Sequence, residues 1–391
     1  MAQIQRIEAL PLRIPRSAIH DAIRDNTSDR LISEGVGGAA ADGPRYRPGG
    51  PGRCVYPRDH EAFFVRVTTD DGHVGYGEAL APAVPEVLRP IVEELLSGVL
   101  VGRNPMDTQA LWHEMYTSMR GRGHGSGFLL DAVTALDIAL WDLKGKISGV
   151  PVWRMLGGLF REAVPIYVSG LNRKTADGRK DAAIEWAARG FRAFKGVPID
   201  EIHDVQAAVG GNPRILVDAL WRYSYSEAFE VAKQLGSLGV AAFECPVAPE
   251  ALDDHRRLRD YGFVPIAIGE AERTRYEFQR ILMAGAADIL QPDIGRCGIS
   301  EFMAIAAGAE AANREVAPHE SMGLSCCIAA SIHCAAAIPN LFMLEYKPIS
   351  TAFAGTLTDQ PFVVENGSFR IPEGPGLGVN LDWKRLEQWA I

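Results

Sequence analysis

The sequence predicts an α/β protein in which a (β/α)8-type TIM barrel is joined to a smaller second domain. Its 391 residues exceed the roughly 250 of a typical barrel. Strand-like stretches and then helical periodicity fill the chain up to Gly149. From Val164 onward, eight short apolar runs alternate with Ala- and Glu-rich helical segments, as in consecutive βα units. Eight parallel strands joined by helices close into a barrel.

The amino-terminal part is predicted to open as an antiparallel meander and to continue as helices. Asp70-Asp71-Gly72 has the composition of a hairpin turn. Apolar residues return every three or four positions from about Glu86 to Gly149, which predicts helices that end before Pro151. The predicted strands are Ile4–Ile14, Ala62–Thr69 and His73–Ala79.

A long segment of irregular composition separates the first two strands. Its second half, Gly35–Arg53, is rich in Gly, Pro and Ala, a composition that argues against regular core structure. We consider two alternatives for this segment, a lid that closes over a site and a loose surface insertion.

The predicted barrel strands follow one another at intervals of roughly 25 residues. That spacing accommodates one strand, one helix and two short loops. The eight predicted strands are Val164–Val168, Phe191–Phe194, Ile215–Val217, Ala241–Phe243, Pro265–Ile268, Asp288–Leu290, Glu315–Ala317 and Leu341–Leu344.

Composition and charge exclude several classes of protein. With 47% hydrophobic and 23% charged residues, the chain has the composition of a globular protein with a large core. The net charge of -9 and the lack of a long basic run argue against nucleic-acid binding. Residues 1–15 lack the apolar core of a signal peptide, so we expect a cytoplasmic protein. The six cysteines form no CxxC motif and are expected to be buried and reduced.

A charged or ionisable residue ends each of seven successive predicted barrel strands. The residues are separated by 23, 26, 26, 23, 26 and 26 positions, so they share one phase of the repeat. Because barrel active sites form at the carboxyl ends of the strands, we expect these side chains to surround one pocket. They are Lys195, Asp218, Glu244, Glu270, Asp293, His319 and Glu345.

The three consecutive carboxylates Asp218, Glu244 and Glu270 predict a divalent metal site. Packed together, they would repel one another unless a cation lay among them. Hard oxygen ligands suit Mg²⁺, and Mn²⁺ could substitute. Taken singly, each could be a surface carboxylate at a loop start, but their common spacing favours a shared site. A zinc hydrolase would need a His-x-His pair, and none of the nine histidines lies two residues from another.

Asp293 and His319 end neighbouring strands and form a candidate general acid/base pair, in which the carboxylate fixes the imidazole tautomer. Lys195 lies beside the predicted metal site, where a neighbouring cation would lower its pKa and let it act as a base or an electrostatic clamp. By strand alternation, Val197 is expected on the same face as Lys195, so this strand supplies a single lysine.

Motifs over nearly the whole chain resemble the enolase superfamily, and specifically its mandelate racemase-like subgroup, the mandelate racemase/muconate lactonizing enzyme family with its acid-sugar dehydratases. The motifs are Asp137-Ile138-Ala139-Leu140-Trp141-Asp142 with Pro151 downstream, Val217-Asp218, Phe243-Glu244-Cys245-Pro246, Gly269-Glu270, Gln291-Pro292-Asp293 and Pro318-His319-Glu320.

The resemblance implies a role for each part of the chain. Residues 1–125 would form an α+β capping domain with a lid loop at about 15–60, residues 126–350 the catalytic barrel, and residues 351–391 a segment returning to the capping domain. Mg²⁺ would be held by Asp218, Glu244 and Glu270, while the Asp293-His319 pair would move protons. Glu345 would hydrogen-bond the substrate carboxylate.

The sequence departs from the subgroup pattern in ways that narrow the choice among possible reactions. The second strand usually carries Lys-x-Lys, but here it reads Lys195-Gly196-Val197, which makes two-base racemisation less favoured. Leu220 replaces a common Asn, and Cys245 interrupts a usual Glu-Glu-Pro. With His319 as the remaining acid/base, we predict dehydration of an aldonate or aldarate to a 2-keto-3-deoxy acid.

Two alternatives remain open. The first is a racemase, epimerase or lactone cycloisomerase in which Lys195 is the second base. The other is a binding barrel without turnover, since a fold alone does not secure activity. For partners we expect a small carboxylate substrate, assembly into a homo-oligomer, and neither nucleic acid nor membrane.

Overall fold

The structure, a computed structural model, describes residues 2–33, 43–49, 54–171 and 173–391. Its strands are β1 (Ile4–Ile14), β2 (Tyr46–Pro48), β3 (Val55–Pro57), β4 (His60–Thr69), β5 (Val74–Ala79), β6 (Ala163–Ser169), β7 (Ala193–Lys195), β8 (Arg214–Asp218), β9 (Ala242–Glu244), β10 (Ile266–Ile268), β11 (Ile289–Leu290), β12 (Glu315–Val316), β13 (Leu344–Tyr346), β14 (Val364–Glu365) and β15 (Ser368–Arg370).

The α-helices are α1 (Arg16–Asn26), α2 (Arg30–Ser33), α3 (Leu88–Pro90), α4 (Ser97–Leu100), α5 (Thr108–Arg120), α6 (Phe128–Ser148), α7 (Val152–Met155), α8 (Ala176–Ala188), α9 (Ile202–Val209), α10 (Tyr225–Ser237), α11 (Leu252–Tyr261), α12 (Arg275–Ala284), α13 (Ile294–Ala311), α14 (Ser325–Ala336), α15 (Pro348–Gly355) and α16 (Trp383–Glu387). Helical turns of other pitch are Pro85–Val87, Ile91–Leu96 and Ile199–Glu201.

The amino-terminal sheet is the predicted antiparallel meander, with strand order β1-β4-β5 and the hairpin turn where it was expected. One face of the sheet packs on α6, whose middle is buried on every side. Gly75 and Gly77 of β5 make this close approach possible. A Cβ atom on Gly77 would lie 1.9 Å from the Ala135 carbonyl oxygen, so a side chain there would clash with the helix backbone.

The barrel closes as the sequence predicts. Strands β6 to β12 lie side by side in chain order and in parallel, and β13 returns to pair with β6. A parallel bridge between Val316 and Leu341 completes the ring. The eighth strand differs in its bounds, since its regular part is Leu344–Tyr346 and Leu341 makes only this bridge.

Inside the barrel, eight apolar residues, each in a strand or directly next to one, fill a buried layer below the carboxyl ends. Because side chains on one face of a strand recur every second residue, the next inward position falls at the mouth of the barrel. That alternation places the predicted charged residues of most strands directly above the apolar layer. The layer consists of Tyr167, Ala193, Leu216, Ala242, Ala267, Ile289, Ala317 and Met343.

The C-terminal segment ties the two parts of the chain together. Strand β15 pairs antiparallel with β6 at the amino end of the barrel. The last residues then reach the amino-terminal sheet, where Ala390 bridges to Leu12 and the Ile391 N–H donates to the Pro11 carbonyl.

Most of the Gly-rich segment, at positions 34–42 and 50–53, lies outside the described residues. The choice between a lid and a surface insertion for this segment also falls on those residues and stays open. The short described stretch 43–49 is anchored by Arg45, which pairs with Glu61 and Glu86 at 2.6 Å each. Among the described residues, no helix is long and apolar enough to cross a membrane. All six cysteines are free. Five of them are buried as expected, whereas Cys54 is exposed and departs from the expectation.

Candidate active site

The seven residues predicted from the strand spacing form one connected network at the mouth of the barrel. Two basic side chains lie at its centre, Lys195 on β7 and His319 just after β12. Each of them contacts three carboxylates, and both contact Glu345.

Lys195 is the cation of the first half of the network. Its Nζ lies 2.6 Å from Glu244 Oε1, 3.3 Å from Asp218 Oδ2 and 3.5 Å from Glu345 Oε1. Burial alone would lower the pKa of Lys195, but Glu244, Glu345 and Asp218 outweigh it and raise the pKa well above its ordinary value. The expectation that a neighbouring metal cation lowers this pKa concerns the metal-bound protein and stays a prediction, as does the choice between a base and an electrostatic clamp.

His319 is the centre of the second half. Its Nδ1 lies 2.7 Å from Asp293 Oδ2, and its Nε2 lies 3.1 Å from Glu270 Oε2 and 3.6 Å from Glu345 Oε2. Burial would lower the pKa of His319, but Glu270, Glu345 and Asp293 raise it to about 9. Asp293 also accepts from the Gly295 N–H at the start of α13, which fixes the carboxylate.

Glu345 joins the two halves. Burial would raise its pKa, but Lys195, Lys347 and His319 hold the pKa well below its usual range. The Glu320 N–H donates to its Oε2 at 2.9 Å. The hydrogen bond from Glu345 to a substrate carboxylate that the resemblance implies stays a prediction.

The carboxylates at the mouth have the chemistry of a divalent cation site. Atoms of Glu244, Glu270 and His319 lie within 4.8 Å of one another. Burial raises the pKa of Glu244 to about 8 against the opposing effect of Lys195, and the charges of Asp218 and Glu270 add to the rise. The second oxygen of Glu244, Oε2, is buried and has no hydrogen-bond partner among the described residues. An unpaired buried carboxylate oxygen beside further carboxylates fits a Mg²⁺ ligand set.

Asp218 faces Lys195 and lies outside that tight group. It is the register neighbour of Glu244 on the adjoining strand, and its Oδ1 accepts from the Leu220 N–H at 2.8 Å. Its Oδ2 lies 3.3 Å from the Nζ of Lys195, the same atom that contacts Glu244.

The backbone is strained where the sequence departs from the subgroup pattern. Leu220 and Trp221 after β8 and Cys245 after β9 have φ values of 50°, 55° and 47°, a region that non-glycine residues rarely adopt. The Trp221 N–H donates to the Cys245 carbonyl at 2.8 Å, which locks the two turns together. Such strain concentrates at functional sites, and here it lies within three residues of Asp218 and Glu244.

Val197 does not share a face with Lys195, so that expectation is wrong. Strand β7 ends at Lys195, and Gly196 turns the chain with a φ of 87°. Alternation therefore stops, and Val197 is buried in the large cluster that packs the barrel against its helices.

Three polar residues of the site were not predicted. Ser169 ends β6 and hydrogen-bonds Glu345, and the Nζ of Lys347 lies 3.9 Å from Glu345 Oε1. Gln291 is fully buried, with both polar atoms of its amide unpaired among the described residues. Each lies two residues after an inward-facing residue, which is the signal that could have found them.

Comparison with known proteins identifies the chain. A model of the mandelate racemase / muconate lactonizing enzyme N-terminal domain matches residues 58–157, and one of the enolase C-terminal domain-like family matches residues 179–385. The chain belongs to the enolase superfamily. The resemblance predicted from its motifs, and the capping-plus-barrel fold that this resemblance implied, are confirmed.

Among curated members of the enolase superfamily, D-galactarolactone cycloisomerase of Agrobacterium fabrum is 36% identical over 84% of this chain and 90% of its own length. Arabinonate dehydratase of Saccharolobus solfataricus is 30% identical over 82% and 88%. A crystal structure of an enolase superfamily member from Agrobacterium tumefaciens superposes with a TM-score of 0.89 at 30% identity, covering 99% and 98%. A racemase from Streptomyces coelicolor A3(2) with bound magnesium gives 0.81 at 26%, covering 99% and 100%.

Proposed function

We propose that this protein removes the proton alpha to the carboxylate of an acid sugar, and that it completes the reaction by eliminating the β-hydroxyl to give a 2-keto-3-deoxy acid. The observation that supports this most is the orientation of His319. Its Nδ1 is held by Asp293, and its Nε2 is directed at the carboxylates Glu270 and Glu345. A substrate entering at Glu345 would therefore meet the proton-transferring nitrogen.

In this proposal Asp218, Glu244 and Glu270 hold a Mg²⁺ ion, for which Mn²⁺ can substitute. When bound, the metal neutralises negative charge on the substrate carboxylate and so makes the neighbouring proton more acidic. The excess of carboxylates over cations around Lys195, together with the unpaired oxygen of Glu244, supports the assignment.

His319 is the proposed acid/base. In the neutral form its Nε2 accepts a proton, and the resulting imidazolium delivers that proton to the departing hydroxyl oxygen. Asp293 acts through His319 as a positioning residue, because its bond to Nδ1 fixes the tautomer that leaves Nε2 free to accept.

Lys195 and Glu345 are the proposed carboxylate-binding groups. Lys195 is buried and charged, so it can stabilise negative charge that develops on the substrate oxygens. Glu345 contacts both basic residues, and when the substrate carboxylate binds it would take up a proton from one of them and, in that protonated form, donate a hydrogen bond to the same oxygens. Both residues then bind the substrate carboxylate, and the reaction needs neither of them as a second base.

Lactone cycloisomerisation is the second candidate. It is favoured by one observation, that the curated relative of 36% identity is a galactarolactone cycloisomerase, while relatives at 30–32% are named dehydratases. The same proton-transfer groups serve both reactions, which differ in the bond broken after the alpha proton is removed.

The test is incubation of the Mg²⁺-loaded protein with acid sugars and their lactones in D2O, followed by NMR. Dehydration gives a 2-keto-3-deoxy acid that is one water lighter than the acid sugar, whereas cycloisomerisation opens or closes a lactone without loss of water. His319→Asn should abolish both. Metal binding without any solvent deuterium incorporation into the whole panel would contradict the proposal and favour a binding barrel.

A further inference from the structure

The five residues between His319 and α14 form a turn, called the His319 turn below. Its backbone donates to two carboxylates of the site. The Glu320 N–H donates to Glu345 Oε2 at 2.9 Å, and the Ser321 N–H donates to Asp293 Oδ2 at 3.3 Å. Because Asp293 holds the Nδ1 of His319, the placement of this turn affects where the proton-transferring nitrogen lies.

The carboxylate of Asp293 is held from both sides by backbone, and both of these backbone segments contact the end of β5. On one side the Gly295 N–H donates to Oδ1 at 2.8 Å, and the Gly295 carbonyl accepts from the Leu80 N–H, directly after β5, at 2.8 Å. On the other side is the His319 turn, which β5 reaches through Glu78.

Glu78 binds the far end of the His319 turn and the start of α14. Its Oε1 accepts from the Leu324 N–H at 2.6 Å, and its Oε2 accepts from the Cys326 and Cys327 N–H groups at 3.0 and 3.1 Å. Only 1% of Glu78 is exposed, so water does not compete for these three donors.

Helix α14 has no side-chain cap of its own. Its N-cap residue is Leu324, whose side chain cannot accept a hydrogen bond. The first N–H groups of a helix lack intrahelical partners and favour a carboxylate beside them. Glu78 satisfies them from the amino-terminal sheet, so its removal would leave buried donors unpaired and release the end of the turn.

Close packing transmits such a shift along the His319 turn. A Cβ atom on Gly323 would lie 2.3 Å from Glu320 Oε1 and 2.6 Å from the Cβ of Cys327. The turn also contacts α14 further along, where Glu320 Oε2 accepts from the Ser331 hydroxyl at 3.3 Å. Displacement at one end of the turn therefore moves the backbone donors at the other end.

We propose that Glu78 is a positioning residue for the Asp293–His319 pair, which it holds in place through the His319 turn. The inference rests on the proposed function, in which His319 moves the proton. It gives the amino-terminal sheet a part in the reaction.

The experiment is a double-mutant cycle on kcat. Glu78→Gln keeps the size of the side chain but replaces one acceptor oxygen with a donor. It should lower kcat for the best acid sugar by about 10- to 100-fold with little change in KM, because the reacting groups are misplaced while substrate binding is retained. In an Asp293→Asn background, where the pair is already broken, the same change should cost at most about 2-fold more.

Asp142→Asn is the matched control for loss of stability. Asp142 is also buried and also accepts from backbone, namely the Tyr76 N–H of β5 and the Leu377 N–H at 2.9 Å each. Neither donor belongs to the His319 turn. The variant should unfold at lower urea concentration than the native protein and keep the native kcat.

Gly323→Ala displaces the same turn without changing Glu78, and it replaces Glu78→Gln in the cycle if that variant does not fold. The added methyl group forces the turn away from Glu320 Oε1 and Cys327. The expected loss of kcat, and its disappearance in the Asp293→Asn background, are the same.

Two results would overturn the inference. One is a native kcat in the folded Glu78→Gln variant, or in Gly323→Ala where that variant replaces it. The other is the same fold loss of kcat with and without Asp293, which would mean that Glu78 does not act through the pair.

Failure of the proposed function is recognised separately. If the native protein exchanges no alpha proton of any acid sugar, the reaction is wrong, and amide hydrogen exchange followed by mass spectrometry then decides the role of Glu78. Faster exchange in Glu78→Gln that is confined to residues 320–327, and absent there in Asp142→Asn, would sustain the anchoring of the turn. Unchanged exchange in this segment would refute it.

Discussion

The ammonium of Lys195 lies 2.6 Å from Glu244 Oε1, although the two residues belong to strands separated by β8. This contact crosses the mouth of the barrel and leaves the second oxygen of Glu244 unpaired. Lys195 thus holds Glu244 in place while leaving one of its acceptor oxygens open for the proposed cation.

Replacing Glu244 by Gln should weaken Mg²⁺ binding by about 100-fold, because the variant loses a charged ligand and leaves a buried amide beside Lys195. Titration calorimetry with Mg²⁺ measures the change. Glu250→Gln, an exposed position that follows the same strand, should bind the metal like the native protein. Equal affinities of the Glu244 variant and the native protein would show that this carboxylate is not a ligand.

Replacing Asp293 by Asn should lower kcat by about 10²- to 10⁴-fold, because His319 loses the group that fixes its tautomer. The effect should also appear in the titration of the metal-free protein. There Glu270, Glu345 and Asp293 together raise the pKa of His319 to about 9. Without Asp293 this pKa should fall, and NMR titration of His319 in the metal-free native protein and variant measures the change. A loss of kcat with an unchanged pKa would point to a purely structural role.

Acid should destabilise the protein through His333. Its Nδ1 accepts from the Trp153 N–H and its Nε2 donates to the Leu377 carbonyl, and burial lowers its pKa to about 4. The unfolded chain binds a proton near pH 6.5, so the stability from neutral His333 is present above that pH. It is lost as pH falls toward 4, by about 3 kcal/mol.

Urea unfolding between pH 7.5 and pH 4.5 measures this loss. In His333→Gln the fall should be smaller, with a remainder from His60, whose pKa burial also lowers to about 4. His113→Gln, at an exposed position of α5, should follow the native curve. Parallel curves for the native protein and the His333 variant would contradict the assignment.

Replacing Gly77 by Ala should destabilise the protein by about 3 kcal/mol or more, because the new methyl group would meet the Ala135 carbonyl of α6 at 1.9 Å. Gly98→Ala is the matched control. It lies in α4 with open space around its Cβ position, so the variant should gain up to about 1 kcal/mol from helix propensity. The two free energies of unfolding are compared in urea. Equal values would exclude the close packing of β5 on α6.

The repeat of the barrel explains why the sequence predicted so much of the site. One strand, one helix and two loops recur at nearly constant length, so charged residues in a common phase have to meet at one end of the ring. Lys195 and His319 were placed in this way without any knowledge of the loops between them. Their contacts to Glu345 depend on ring closure, which the same repeat implies.

What the sequence did not predict depends on exact backbone geometry. Strand alternation fails for Val197 because Gly196 turns the chain immediately after Lys195. It holds for Lys347 after Glu345, and that lysine was overlooked because it lies beyond the last regular strand residue. The pKa of Lys195 is raised by three carboxylates, which only the folded chain brings within reach of its ammonium.

The ring is completed only when Leu341 reaches Val316 and β13 pairs with β6. The active site therefore cannot form during synthesis until Glu345 has left the ribosome. A fragment that lacks the eighth βα unit should be inactive even if the rest of the chain is compact. Enzyme activity recovered after dilution from denaturant would consequently report only the molecules in which β13 has paired with β6.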